Sequence, residues 1–233
     1  MDWYYLHSGK TEYDFVQKFI SDEVKILDIG SGRGELYNRI NHNVDYTGLE
    51  LSSKAVQLAE LDGVNVINED LYIHAEKNFE RYDLICLFQV LEHLKDPINF
   101  VGEAKKCLKP GGKLIIAVPD NNGFIKYAVN NPLNLPPHHT IHWNEFSLKR
   151  LAQILNFSVV DVACESLQEV HTDWYAKTSI LNKWVRFFYY KPTSIDFSFR
   201  FRLIRKLASF FNVNYKYYSK INGHSIIIVF EKK

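Results

Sequence analysis

The chain has 233 residues, of which 46% are hydrophobic and 24% charged, and its formal net charge is +1. This composition is typical of a globular protein and excludes a disordered, collagen-like or disulfide-rich chain. No apolar run approaches the roughly 18 to 20 residues that cross a bilayer, and the first residues show no signal peptide. Its three cysteines, Cys86, Cys107 and Cys164, form no close pair. We therefore expect a cytoplasmic protein with reduced thiols.

Short β-branched runs alternate with stretches of helical spacing over the first half of the chain, which predicts parallel βαβ units. We predict a leading helix at 13–20, strands at 24–29, 45–49, 64–67, 83–88 and 113–118, and helices at 33–40, 52–60 and 97–107. A loop at 119–142, a helix at 144–155 and strands at 157–162 and 225–230 follow. This alternation of strands and helices predicts an α/β fold with one main sheet.

A glycine cluster directly follows the first predicted strand. Gly30, Gly32 and Gly34 form a G-x-G-x-G turn, and Glu50 ends the second predicted strand. Glycines let a ligand lie against bare backbone, and a carboxylate in that place can accept both hydrogen bonds of a ribose diol. The dinucleotide fingerprint needs a glycine where this chain has Glu35. The pattern therefore favours a nucleoside without phosphates.

Five motifs, in order along the chain, resemble those of class I S-adenosylmethionine-dependent methyltransferases. They are the glycine loop at 26–34, the acid Glu50, the segment 68–71, the strand and loop at 82–94, and the turn at 108–114. The resemblance covers 26–157. It implies a doubly wound, seven-stranded Rossmann-like sheet in the order 3-2-1-4-5-7-6, with a helical insertion before the last strand and S-adenosylmethionine as the cofactor.

The resemblance also implies which residues bind the cofactor. Glu50 would grip the ribose and Asp70 the adenine amino group, while Asp28 faces the cofactor's own amino group, a helix N-terminus, or both. The expected cofactor-binding residues are Asp28, Gly30, Ser31, Gly32, Glu50, Leu51, Asp70, Leu71, Phe88 and Gln89. For the two acids after the second and third strands the alternative is a solvated strand end, and for the two leucines it is plain core packing.

The residues after the fourth predicted strand restrict the methyl acceptor. The segment 87–90 lacks the Asn/Asp-Pro-Pro-Tyr/Phe/Trp motif of enzymes that methylate planar amines, and a Pro-Cys nucleophile is also absent. A hydroxyl oxygen, or an amine on a small molecule, remains as the acceptor.

A histidine-rich loop at 136–143 follows the fifth predicted strand, at the sheet edge where ligands bind. It resembles the Pro-His-His-x-x-x-Trp loop of methyltransferases from bacterial glycan and secondary-metabolite pathways. Because imidazole accepts a hydroxyl proton near neutral pH, we predict His139 as the base, with His93 as a further catalytic residue. The predicted substrate contacts in this loop are His138, His142 and Trp143.

Two other roles for these histidines compete with catalysis. A metal is one, but Mg²⁺ prefers oxygen ligands and no fourth zinc ligand is evident, so we predict no metal. The other is a structural role, in which the imidazoles cap helices or bond the backbone.

The chain divides into four predicted parts. Residues 1–22 form a lid and helix, 23–164 the cofactor-binding core, 165–222 a helical insertion, and 223–233 the last strand. Tyr5, in the lid, is a candidate contact near the transferred methyl group or, alternatively, an aromatic plug in the core.

The segment 183–220 is basic and aromatic. It carries nine Lys or Arg against one acid, and 13 of the 34 aromatic residues. We interpret the insertion as a substrate cap. The alternatives are a packed helical pair or a homodimer interface, a peripheral contact with an anionic membrane, and an RNA-binding surface; we expect no DNA partner.

The sequence thus predicts an S-adenosylmethionine-dependent methyltransferase that methylates a hydroxyl of a small molecule or a glycan, for example in polysaccharide biosynthesis. The first alternative is a quinone-type or phenolic acceptor, for which the aromatic insertion would form an apolar cap. The second is a non-catalytic, methyltransferase-like binding protein, against which the intact cofactor motifs argue.

Overall fold

The computed structural model describes residues 11–168, 171–188, 190, 195–208 and 221–233. In these ranges the strands are β1 (Lys25–Ile29), β2 (Asp45–Leu49), β3 (Val66–Ile67), β4 (Tyr82–Phe88), β5 (Leu108–Pro119), β6 (Phe157–Ser166) and β7 (Asn222–Lys232). The helices are α1 (Thr11–Val16), α2 (Ser53–Leu61), α3 (Leu71–Lys77), α4 (Pro97–Cys107), α5 (Glu145–Ile154), α6 (Thr172–Phe187) and α7 (Phe199–Ala208).

All seven strands form one sheet in the order β3-β2-β1-β4-β5-β7-β6, which confirms the predicted fold class and strand order. The neighbouring strands from β3 to β5 pair in parallel, and β7 runs antiparallel to both β5 and β6. The carboxyl ends of β1, β2, β4 and β6 therefore meet the amino end of β7 at one edge. This is the edge where open α/β sheets bind ligands.

The sheet is buried on both faces, which explains why its central strands read as almost continuous apolar runs. On one face, β-strand side chains pack against α3, α4 and α5, through residues such as Leu71, Val101 and Leu148. On the other, Phe15 and Val16 of α1 join the core. Burial of these apolar side chains holds the helices on the sheet.

The structure confirms some of the predicted helix and strand bounds and corrects others. The bounds of β2 and α4 are those predicted. Ser52 caps α2, its Oγ accepting from the backbone N–H of Ala55. The predicted helix at 33–40 is wrong, because this stretch forms turns and a short 3₁₀ segment, Tyr37–Arg39. The predicted turn at 109–112 lies within β5, which begins directly after α4.

The insertion is helical in its described parts, as predicted. α6 and α7 pack on each other through Leu181, Val185, Phe201 and Ile204. β6 extends to Ser166 and β7 begins at Asn222, so both strands run slightly past the predicted insertion bounds of 165–222. No helix in the described ranges is both long enough and apolar enough to cross a membrane. Tyr5 lies outside the described residues.

Candidate functional site

A cavity of about 750 Å³ opens at the carboxyl edge of the sheet. Its wall combines the glycine loop after β1, the end of β4, the loop before α5, and the ends of β6 and β7 that meet there. The predicted site residues that line it are Asp28, Gly30, Ser31, Gly32, Phe88, Gln89, His93, His138 and His139. One cavity thus joins the predicted cofactor loop to the predicted catalytic histidines.

The glycine loop takes a backbone path that favours glycine. Gly30 and Gly32 have φ of 75° and 58°, in the left-handed region. A Cβ on Gly30 would lie 2.5 Å from Cγ2 of Val90, which follows β4. Gly30 therefore allows the loops after β1 and β4 to approach each other at the cavity.

Glu50 holds this loop in place. Its Oε2 accepts from the backbone N–H of Gly32 (3.1 Å) and its Oε1 from that of Ser52 (2.8 Å). A carboxylate offers about four lone-pair sites, so acceptor capacity remains for the two hydroxyls of a ribose. The carboxylate does not itself line the cavity, and ribose binding stays a prediction.

The other cofactor-binding residues predicted after β2 and β3 are Asp70, Leu71 and Leu51. Asp70 caps α3, its Oδ1 accepting from the backbone N–H of Tyr72 at 2.8 Å. Leu71 is buried in the core, whereas Leu51 is 69% exposed. None of the three lines the cavity, so their predicted adenine contacts remain predictions.

Acidic side chains surround the glycine loop. Asp28 is buried and its Oδ2 accepts from the hydroxyl of Tyr46 at 2.8 Å. Burial and this neighbouring carboxylate raise the pKa of Tyr46 well above its ordinary value, so the tyrosine stays a donor. Glu12 and Glu35 line the cavity beside Asp28. This end of the cavity therefore suits a cationic ligand.

The end of β4 is strained at Gln89. This non-glycine residue has φ of 56°, and such strain concentrates at functional sites. Its amide Nε2 donates to Oγ of Ser225 at 3.3 Å. Gln89 thereby links the end of β4 to the start of β7 across the cavity floor.

The three rings of His93, His138 and His139, called here the first cluster, lie together, with centroids 4.8 to 5.0 Å apart. The Nδ1 of His93 lies 2.7 Å from the backbone carbonyl oxygen of His138. Because a carbonyl oxygen only accepts, Nδ1 carries the proton and Nε2 keeps its lone pair.

His139, the predicted base, lies in the cavity wall. Its Nδ1 is 3.0 Å from Oδ1 of Asn134. Burial, together with the imidazoles of His93 and His138, lowers the pKa of His139 to about 4. A group this weakly basic holds a proton poorly at neutral pH, so the geometry favours His93 over His139 as the base.

The other two predicted contacts in this loop are His142 and Trp143. His142 lies with Nε2 2.6 Å from the carbonyl oxygen of Asn134. Trp143 is 5% exposed and belongs to the core between the sheet and α5. Neither lines the cavity, so their predicted substrate contacts remain predictions.

Glu92 is a functional candidate that the sequence analysis did not identify. It lines the cavity although its side chain is only 2% exposed. Its Oε1 lies 3.9 Å from Nε2 of His93, and its Oε2 has no partner among the described residues. Burial raises the pKa of Glu92 to about 7.

The raised pKa makes stability depend on pH. In the unfolded chain Glu92 ionises near 4.5 and in the folded protein near 7, so native stability is lost as pH rises between these values. We expect Glu92→Gln to be more stable than wild type by about 3 kcal/mol at pH 8 and equally stable at pH 4. Urea unfolding at both pH values measures this, with the exposed Glu60→Gln as control. Equal stability of Glu92→Gln and wild type at pH 8 would contradict the burial argument.

A second cluster, defined as Glu165, His171 and His224, lines the same cavity. Oε2 of Glu165 accepts from the backbone N–H groups of His224 and Ser225, both at 3.2 Å, and lies 2.8 Å from Nδ1 of His224. Burial raises the pKa of Glu165, but the contact with His224 outweighs this and holds it below its ordinary value. Burial and the neighbouring His224 lower the pKa of His171 to about 4.

Sequence reasoning missed the second cluster. Glu165 is the last residue but one of β6, His171 directly precedes α6, and His224 is the third residue of β7. The antiparallel register, which pairs Cys164 with Ile226 and Ser166 with Asn222, brings the first and last of these together. The one available signal was a polar Gly-His-Ser segment at the start of the last apolar run.

One aromatic side chain lies in the cavity wall beside the second cluster. Trp174 of α6 lines the cavity and stacks edge-on against Phe124 at 4.8 Å. Tyr175 packs on the same ring at 5.3 Å. Aromatic rings of this kind suit a flat or ring-shaped ligand.

Comparisons with known proteins agree with this geometry. A family model described as a methyltransferase domain matches residues 9–162. The ubiquinone biosynthesis O-methyltransferase of Serratia proteamaculans is 34% identical over 104 residues, which is 42% of this chain and 43% of that protein. That of Hydrogenovibrio crunogenus is 30% identical over 145 residues, or 57% and 60% of the two chains. The chain thus spans less than two thirds of these relatives.

Solved structures share the fold. An S-adenosylmethionine-dependent methyltransferase from Archaeoglobus fulgidus superposes with a TM-score of 0.59 at 16% identity, over 97% of this chain and 95% of the other. The [4+2]-cyclase SpnF gives 0.61 at 16% identity, over 95% and 80%. Because the same fold carries different reactions, these two matches establish architecture alone.

Proposed function

Since the chain belongs to the methyltransferase-domain family, we propose that it transfers a methyl group from S-adenosylmethionine to a hydroxyl oxygen of a small molecule. The observation that carries the proposal is the single cavity in which the glycine loop and the imidazole of His93 share one wall. The choice between a phenolic and a sugar hydroxyl rests on the aromatic and amide side chains of the cavity wall.

S-adenosylmethionine is the cofactor and supplies a methyl carbon activated by a positively charged sulfonium. The residues present fit it. The Glu50 carboxylate keeps acceptor capacity beside the glycine loop, and Glu12, Asp28 and Glu35 give this end of the cavity the negative charge that complements a cation.

His93 removes the acceptor proton in this proposal. Its Nδ1 donates to the carbonyl oxygen of His138, which leaves the Nε2 lone pair to accept a proton. Glu92, with a pKa of about 7 and Oε1 3.9 Å from Nε2, stabilises the imidazolium that forms. The cavity walls orient the hydroxyl toward the donor, and alignment supplies much of the rate in such displacements.

A phenolic or quinone-type ring is the acceptor we favour. Trp174 offers an aromatic surface in the cavity wall, with Phe124 packed behind it, and the curated relatives bear the name ubiquinone biosynthesis O-methyltransferase. A sugar hydroxyl of a glycan or secondary metabolite is the second candidate. Amide side chains in the lining, Asn131, Asn134 and Gln168, are suited to bonding sugar hydroxyls and support it.

The experiment is a transfer assay with tritiated S-adenosylmethionine against two acceptor panels, one of catechols and hydroxylated quinones and one of nucleotide-linked sugars. We expect label in the first panel, and Glu50→Gln should reduce it while the exposed Glu60→Gln should not. Label only in the sugar panel would select the second candidate. Label in neither panel, with the cofactor bound, would support a binding protein.

We propose that the segment 183–220 contacts a partner other than the methyl acceptor. That partner is an anionic membrane or, in a homodimer, a second copy of this chain. The segment's described helix α7 carries Arg200, Arg202, Arg205 and Lys206, and exposes Phe199 and Leu203. We expect co-sedimentation with phosphatidylglycerol vesicles that high salt abolishes. Arg202→Glu/Arg205→Glu should weaken it, while Lys54→Glu, on α2, should not. Sedimentation velocity tests the dimer, and binding unaffected by salt or charge reversal would contradict the membrane contact.

A further inference from the structure

The strongest unassigned feature of the cavity is the second cluster. Glu165, His171 and His224 each offer one ligand atom, and these atoms lie within 4.8 Å of one another. We propose that the second cluster binds a divalent transition metal ion, such as Zn²⁺, Co²⁺ or Fe²⁺. This replaces the expectation of no metal drawn from the sequence, which considered only the histidines of the loop at 136–143.

The donor types select the class of ion. Two imidazoles and one carboxylate form a mixed nitrogen and oxygen set, which suits zinc, iron and neighbouring metals and differs from the all-oxygen surroundings of Mg²⁺ and Ca²⁺. The rings of His171 and His224 lie edge to face with centroids 4.5 Å apart. One ring nitrogen of each histidine lies within 4.8 Å of the other and of a Glu165 carboxylate oxygen.

The carboxylate of Glu165 is held in position by β7, the strand that pairs with β6. The hydrogen bonds of Glu165 to described residues go to Oε2, from the backbone N–H groups of His224 and Ser225, and Nδ1 of His224 lies 2.8 Å from the same oxygen. Oε1 makes none, so it is left for a ligand. A Cβ on Gly223 would lie 2.9 Å from Oε2, so glycine at this position lets the carboxylate sit against β7. Such fixed outer contacts are typical of metal ligands.

Burial also favours a cation. Glu165 is 1% exposed and His171 is 7% exposed, so an ion at this place would be shielded from water, where its attraction to a carboxylate is stronger. One carboxylate faces two imidazoles here. An ion between them would use the lone pairs of all three groups.

The site remains open on the cavity side. All three residues line the cavity that also holds the glycine loop, and three protein ligands with a free position are the pattern of catalytic rather than structural zinc. We infer that the free position takes the acceptor hydroxyl, an extension that rests on the proposed function. The ion would draw electron density from that oxygen and ease loss of its proton. His93, which lines the same cavity, would take the proton, the oxygen electron pair would form the new C–O bond, and the C–S pair would stay on sulfur.

The test measures metal binding directly on the full chain. Chelator-treated protein is titrated with Zn²⁺ by calorimetry, and with Co²⁺ while the visible absorption of the ion is recorded. We expect a single ion per chain, with the Co²⁺ spectrum of a low-coordinate site. His224→Ala, His171→Ala and Glu165→Gln should each weaken binding by about 100-fold. His138→Ala, in the first cluster, is the matched control and should keep full affinity.

Titration of S-adenosylmethionine into every variant shows that each is folded and separates this proposal from the proposed function. Absence of Zn²⁺ and Co²⁺ binding in protein that binds S-adenosylmethionine would overturn the metal site and leave the methyltransferase proposal standing. Binding lost in His138→Ala but kept in His224→Ala would overturn it too, by placing the ion at the first cluster. Failure of S-adenosylmethionine to bind wild type would instead overturn the proposed function, whatever the metal titration gives.

Discussion

Glu50→Ala should weaken S-adenosylmethionine binding by about 100-fold or more. The carboxylate would accept two hydroxyl donors of the ribose, and each hydrogen bond to a charged group contributes about 1.5 to 3 kcal/mol. The substitution also removes the acceptors of the Gly32 and Ser52 backbone N–H groups, so the glycine loop loses its anchor. Isothermal titration calorimetry with the cofactor and its demethylated product measures the effect.

Two further variants make this measurement specific. Glu50→Gln keeps the shape and one acceptor oxygen, so its affinity should fall between those of wild type and Glu50→Ala. Glu60→Ala, at an exposed position on α2, should bind as wild type does. Unchanged affinity in Glu50→Ala would show that the cofactor binds elsewhere in the cavity.

His93→Gln should lower kcat by about 100- to 10,000-fold, the usual contribution of a general base, with little change in cofactor affinity. The loss should be smallest at high pH, where the acceptor hydroxyl ionises without help. The rate of the variant should therefore rise with pH over a range where the wild-type rate is level.

His42→Ala, which removes an imidazole near Asp22 on the surface, is the control for the effects of losing a histidine. A structural role for His93 would lower stability and cofactor affinity together and leave the shape of the pH profile unchanged. That result, or wild-type kcat in His93→Gln, would contradict its assignment as the base.

The sheet could be predicted from the sequence because each strand carries its own signal. β1, β4 and β5 are apolar on both faces, and the glycine loop and Glu50 mark where β1 and β2 end. The predicted helix at 33–40 failed because it needed an apolar face, and Leu36 is the one large side chain buried there. Positive φ at Gly32 and Gly34 further directs this stretch into turns.

The candidate site could be predicted only in part. The glycine loop, Gln89 and the histidines at 93, 138 and 139 line the cavity as the motif order implied. The burial of Trp143 in the core could not be predicted, because a buried aromatic and a ligand-binding one look alike in sequence. The second cluster depends on the register of β6 against β7, which no local pattern encodes.

The central claim is that this cavity methylates oxygen, and one measurement tests it most directly. The protein is incubated with a catechol acceptor and S-adenosylmethionine labelled with ¹³C in the methyl group, and the product is examined by ¹³C NMR. We predict a methoxy carbon signal that disappears in His93→Gln. A label found on nitrogen or carbon, or no transfer to any hydroxyl acceptor by protein that binds the cofactor, would contradict the account.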